Sequence, residues 1–204
     1  MTRLYSCLRR ALGTFVRRES GSLTVESALL APMLVWSVVM TYGYFDGFRE
    51  STANLKAAFT VSDLISREAE NEITDTYASS MYVIFNRMVR DNTPLKMRLS
   101  LVRYNAEDDL HIVEWSTHCG FTGTWNNGNV KPLADTLPAM ADLDTLIVVE
   151  TSKDYDPPIN TDWLASPHKF DNVVFTRPRF VPTIKANVSD RFCQQDVVGV
   201  APGA

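Results

Sequence analysis

One carboxylate interrupts a long apolar stretch. Glu26 is followed by Ser27 to Phe45 without a single charged residue. A carboxylate in a membrane-length segment costs about 2.5 kcal/mol or more at the bilayer centre and less near the interface, so it calls for a named partner. The plainer role is a headgroup position, where it complements the positive end of the helix dipole. The other residues that could do chemistry are scattered. His111, His118, Cys119 and Cys193 could ligate a metal, but their spacing matches no standard zinc pattern, so no metal is expected. His168 reads as a surface residue. The acidic pairs Asp142/Asp144 and Asp154/Asp156 lack the ligand ladder of a calcium loop and read as carboxylates that cap turns. Asn187-Val188-Ser189 is a glycosylation sequon only in a suitable host. No nucleophile elbow, phosphate loop, zinc-protease helix or nucleotide fingerprint occurs. The chain is therefore not expected to be an enzyme, and neither a cofactor nor a small-molecule ligand is expected.

The elements that carry Glu26 follow from charge and hydropathy. The chain has 204 residues. Residues 1–21 hold Arg3, Arg9, Arg10, Arg17 and Arg18 against Glu19 alone, while the remainder holds more acidic than basic side chains. An acidic body lacks the basic face that phosphate binding needs, which argues against nucleic acid as a partner. The run Ser27–Phe45, extended back through Leu23, Thr24 and Val25, is long enough to cross a bilayer core of about 30 Å at about 1.5 Å per residue. The arginines before it predict a cytosolic N-terminus, with the rest outside. Tyr42, Tyr44 and Phe45 then fall at the outer interface, where aromatic residues are enriched. A cleavable secretory signal fits less well, because the apolar region is long and no A-x-A-like site follows it. Leu4-Tyr5-Ser6-Cys7 mimics a lipoprotein box without an apolar stretch before it.

The stretch Gly21-Ser22-Leu23-Thr24-Val25-Glu26, continuing Ser27-Ala28-Leu29-Leu30-Ala31-Pro32, resembles the TadE-type pseudopilins of tight-adherence (Flp, type IVb) pilus systems. Their hallmark is a short basic leader, a glycine, and an apolar helix with glutamate at its fifth position and proline six residues later. The resemblance implies cleavage between Gly21 and Ser22 by a prepilin peptidase on the cytosolic face. In an assembled bundle of such helices, Glu26 of one subunit is expected to pair with the new Ser22 amine of a neighbour, and Pro32 is expected to bend the helix rather than take part in chemistry. The implied partners are the prepilin peptidase, other pilins or pseudopilins, the inner-membrane assembly platform and the membrane itself. Looser matches extend to about residue 180: Trp115-Ser116 ending a strand, an apolar strand running into Tyr155 and Pro157, and Arg177-Pro178-Arg179. The longer TadG type, with its large appended domain, is not expected here.

Beyond the span, Leu55, Ala58, Phe59, Ser62 and Ile65 recur at helical spacing. A charged stretch, 66–72, separates them from a second amphipathic pattern of Ile73, Tyr77, Met81, Ile84, Phe85 and Met88, which Thr93-Pro94 ends. The pattern leaves open one bent helix or two. From Leu95 the period becomes two. Leu95–Leu101 and Leu110–Ser116 predict a hairpin around an acidic turn, and Thr145–Ser152 and Asn172–Thr176 predict two further strands. The tail from Ala186 carries no clear signal. The expectation is an α+β fold: a long N-terminal transmembrane and amphipathic helix, then a mostly antiparallel sheet of pilin-like type. Its parts are a leader at 1–21, a transmembrane helix at 22–46, a helical stalk at 47–92 and a β-rich domain at 93–204. Cys7 falls in the leader and would leave with it. Cys119 and Cys193 then remain on the oxidising side and are expected to form a disulfide that ties the tail to the hairpin. The function expected is a minor pilin in type IVb pilus assembly, bacterial inner-membrane and single-pass with its C-terminal domain periplasmic. The alternative is an uncleaved, signal-anchored sensor or ligand-binding domain.

Overall fold

The uncharged run after Glu26 satisfies its backbone in the one way open to a single apolar segment, as a helix. In the computed structural model, which describes residues 22–69, 72–90, 95–157 and 167–193, helix α1 spans Ser22–Ser66. Pro32 lies inside it and cannot donate to the carbonyl one turn back. The Thr41 hydroxyl donates to the Ser37 carbonyl at 2.8 Å, which keeps a polar group satisfied within an apolar helix. The chain forms two units, Met1–Phe45 and Asp46–Ala204. The described part of the first is helix alone. It is long and apolar enough to cross a membrane, and none of its most apolar window is buried.

In the second unit, α1 packs on a sheet through Asn54, Ala57, Ala58, Val61, Ser62, Ile65 and Ser66, all buried. This face is turned from the one the apolar pattern marks. Ala58, Ser62 and Ile65 are on it, but Leu55 and Phe59 are exposed, Phe59 by 55%. The reason is steric. Alanine and serine let the helix backbone approach the sheet closely, and the bulkier side chains stay outside that contact.

The second helical pattern also begins later than its spacing suggests. Ile73–Thr74 form a short strand, β1, and helix α2 spans Asp75–Val89. Thr74 is extended and its hydroxyl accepts from the Tyr77 amide, an N-cap that sets the helix start. Ile73 instead donates its amide to the Lys185 carbonyl and pairs in parallel with Ala186. Helix α2 ends at Arg90, which adopts the left-handed conformation and donates to Asn86. Thr93 and Pro94 lie outside the described residues.

Strands β2 (Lys96–Asn105) and β3 (Leu110–Cys119) form the expected hairpin, with an irregularity between Leu101 and Val102. A short helix, α3, spans Lys131–Ala134. Strand β4 (Thr145–Tyr155) pairs with β2, and β5 (His168–Thr176) pairs with β4, all antiparallel, giving the order β3-β2-β4-β5. The architecture is α+β, a long apolar N-terminal helix followed by an antiparallel sheet. Every strand but β1 and the short β6 (Ala186–Asn187) outruns its local pattern, because cross-strand bonds reward polar residues that alternation alone does not count.

Alternation gives the sheet two faces. Met97, Leu99, Leu101, Ile147 and Val149 point toward the helices and join Ala57, Val61, Ile65, Met81 and Phe85 in the main core. Val102 and Val148 point the other way, into a smaller core closed by Val130 and Leu133 of the 120–143 connection.

Candidate functional site

The sequence points to the N-terminal helix, and the structure distributes its marked residues as follows. Gly21 lies outside the described residues, and Ser22 opens α1. Glu26 and Pro32 both lie on α1 in its exposed, apolar part. Val25, Leu29, Leu30 and Met33 around them are at least half exposed, Leu29 by 67%. By length and composition this part of the helix is apolar enough to cross a membrane. Within the described residues no side chain covers Glu26.

Cys119 and Cys193 stand at disulfide distance, with Cα atoms 5.3 Å apart across a sequence separation of 74. The bond closes a strap. The His118 amide donates to the Asp190 carbonyl, the Phe192 amide to the His118 carbonyl, and the Thr117 hydroxyl to the Ser189 carbonyl. Residues 189–192 thereby cover the end of the β3 edge, a position otherwise open to pairing with another chain. Phe192 is buried in the main core, edge-on to Tyr82. Tyr82 in turn donates to the Leu95 carbonyl, and burial pushes its phenol pKa up.

The histidines do not converge. His118 is buried beside Arg98 and the strap, His111 packs on Tyr104, and the exposed His168 packs on Tyr155 and Phe170. No group of three metal-ligating side chains occurs among the described residues. Asp142 accepts from the Ala106 amide, and Asp144 pairs with Arg177 at 2.7 Å. Asp154 lies 3.8 Å from both Lys96 and Lys169. These carboxylates hold turns and strand ends together.

Two arrangements carry little local signal in the sequence. On the sheet face away from the helices, the Arg98 guanidinium lies 4.5 Å from the centre of Phe121 and 4.7 Å from that of Trp125. It pairs with Glu150 at 3.1 Å, and the Trp125 indole donates to the same carboxylate. This cation–π clamp holds the 120–129 connection on the sheet. Gly120 enters it at φ +80, in the left-handed region that favours glycine, and a Cβ there would come within 2.9 Å of Lys96 Cγ.

The second arrangement is a polar seam under α1. Tyr155 donates to Asp46 at 2.9 Å, Lys153 pairs with Glu50, and the Asn54 amide donates to the Phe170 carbonyl at 3.2 Å. The signal for it is a polar residue every fourth position, 46, 50 and 54, in phase with Ala57 and Ala58. That phase becomes visible only once the buried face is known.

No protein-family model matches this chain, and no curated protein or solved structure matches it.

Proposed function

We propose that this protein is a TadE-like pseudopilin, a minor pilin that takes part in assembling or priming a tight-adherence (Flp, type IVb) pilus. The observation that carries the reading is Glu26. It is the one charged side chain between Ser22 and Phe45, five residues after Gly21, on a helix with apolar side chains around it. In this reading a prepilin peptidase cleaves between Gly21 and Ser22 and leaves an ammonium at Ser22. Glu26 of one subunit pairs with the Ser22 amine of the next, which offsets two charges otherwise stranded in apolar surroundings. Pro32 bends the helix, and the exposed side chains around it meet lipid before assembly and other helices after it. The arginines of the leader set a cytosolic N-terminus in the inner membrane, with the domain from Asp46 periplasmic. A periplasmic location is oxidising, in keeping with a Cys119–Cys193 bond.

Mass spectrometry of the mature N-terminus tests the proposal. Ser22 as first residue, dependent on a prepilin peptidase, is the expected result. A membrane-bound form that retains Met1 or Thr2 would overturn it in favour of an uncleaved, signal-anchored sensor domain. Glu26→Ala is expected to leave membrane insertion intact and to reduce pilus output. Unchanged output from that variant would remove Glu26 from the mechanism.

A further inference from the structure

Helix α1 meets the sheet through two kinds of contact that meet between Asn54 and Ala57. Asp46, Glu50 and Asn54 stand one helical turn apart, and they face Tyr155, Lys153 and the Phe170 carbonyl. The register works because four helical residues rise about 6.0 Å and two strand residues about 6.8 Å, so Asp46 meets Tyr155 and Glu50 meets the next inward residue of β4, Lys153, while Asn54 reaches the Phe170 carbonyl of β5. From Ala57 onward the contact changes to Ala57, Ala58, Val61 and Ile65 against the apolar core. No residue of α1 before Ala57 belongs to that core.

These two halves respond differently to water. Lifting residues 57–66 would expose fully buried aliphatic side chains on the helix and on β2 and β4, a cost proportional to apolar area. Lifting residues 46–54 would hydrate mainly polar groups, the buried Tyr155 ring beside Gly47 being the apolar exception. The Lys153–Glu50 pair loses its Coulombic attraction but also sheds the desolvation that burial imposes on an ammonium only 2% exposed. The seam is also incompletely satisfied. Buried Asn54 Oδ1 has no hydrogen-bond partner among the described residues, and water would supply one. Helical hydrogen bonds within residues 46–54 survive the separation, because they are internal to α1.

We propose that Asp46–Asn54 is a detachable section of α1. It leaves the sheet with its own helical hydrogen bonds kept, the helix bending between Asn54 and Ala57, while Ala57–Ser66 stays seated. The point at which the domain holds the helix then moves from Asp46 to Ala57. The contacts that would open belong to this domain alone, whether or not the protein assembles into a pilus.

Electron–electron distance measurement on the full chain in detergent micelles tests it, in a Cys7→Ser background with Cys119 and Cys193 kept. Nitroxides at Arg49→Cys and Lys169→Cys report the seam. Nitroxides at Leu64→Cys and Arg177→Cys report the seated part and the integrity of the fold. The expected result is a second, longer population for the 49–169 pair and a single population for 64–177. Tyr155→Phe, which removes the Asp46 hydrogen bond, is expected to raise the longer population. Glu50→Leu with Lys153→Met, which makes the seam apolar, is expected to diminish it. A single 49–169 population, or a longer one that neither variant changes, would overturn the proposal.

Discussion

Cys119 closes strand β3 and holds Cys193 with the two Cα atoms 5.3 Å apart, so that residues 189–192 lie along the β3 edge. Strands β4 and β5, half of the four-stranded sheet, lie inside the loop that this bond closes, and Phe192, next to Cys193, is a member of the main core.

Cys193→Ser is expected to lower unfolding stability by about 2–4 kcal/mol, from the chain entropy that the closed loop removes from the unfolded state. The denaturant midpoint of the full chain, with and without a reductant, checks it. A reductant that shifts the parent and leaves the variant unmoved is the expected pattern.

Glu150→Leu leaves the Arg98 guanidinium buried between Phe121 and Trp125 without its carboxylate, since the two side chains are only 11% and 13% exposed. The expected loss is about 3–5 kcal/mol. Arg98→Met combined with Glu150→Leu is expected to recover most of it, because neither charge is then stranded. A double-mutant cycle in thermal unfolding separates the pair from its parts.

Ala58→Leu pushes a branched side chain into the close contact between α1 and the sheet, where Ala58 is fully buried. Overpacking of this kind costs about 1–3 kcal/mol. Leu55→Ala, on the exposed side of the same helix, is expected to change stability by no more than about 0.5 kcal/mol. The two midpoints measured side by side test which face of α1 is seated.

His118 is expected to contribute a pH dependence of stability. Burial lowers its pKa from the ordinary 6.5; Arg98 and Arg191 act in the same direction, and Asp190 opposes them through a backbone hydrogen bond and its carboxylate. The folded protein therefore binds this proton less readily than the unfolded chain. The stabilisation is fully present above the unfolded pKa and is lost as pH falls through the lower, folded one. Melting temperature is expected to fall between neutral pH and about pH 5, and His118→Asn is expected to flatten that slope. An identical slope in the variant would exclude His118 as its source.

Much of this protein is local in origin and legible in the sequence alone. The apolar run and its one carboxylate determine a helix of membrane length, since no other single-segment backbone conformation satisfies itself without water. Alternation along Leu95–Leu101 and Leu110–Ser116, with Asn105–Asp109 between, determines the hairpin, because side-chain period and turn chemistry are short-range properties. The tertiary structure decided what depends on distant partners. Ile73 has a helical neighbourhood, yet it becomes a strand because Lys185 and Ala186 meet it. Leu55 and Phe59 have the stronger apolar signal, yet Ala57 and Ala58 take the sheet, because closeness of approach outweighs side-chain size at that contact. The seam that joins Asp46, Glu50 and Asn54 to Tyr155, Lys153 and Phe170 depends on pairings more than a hundred residues apart. No periodicity within either segment encodes them. They follow from the register in which a helix rising 1.5 Å per residue lies on a strand rising more than twice as fast.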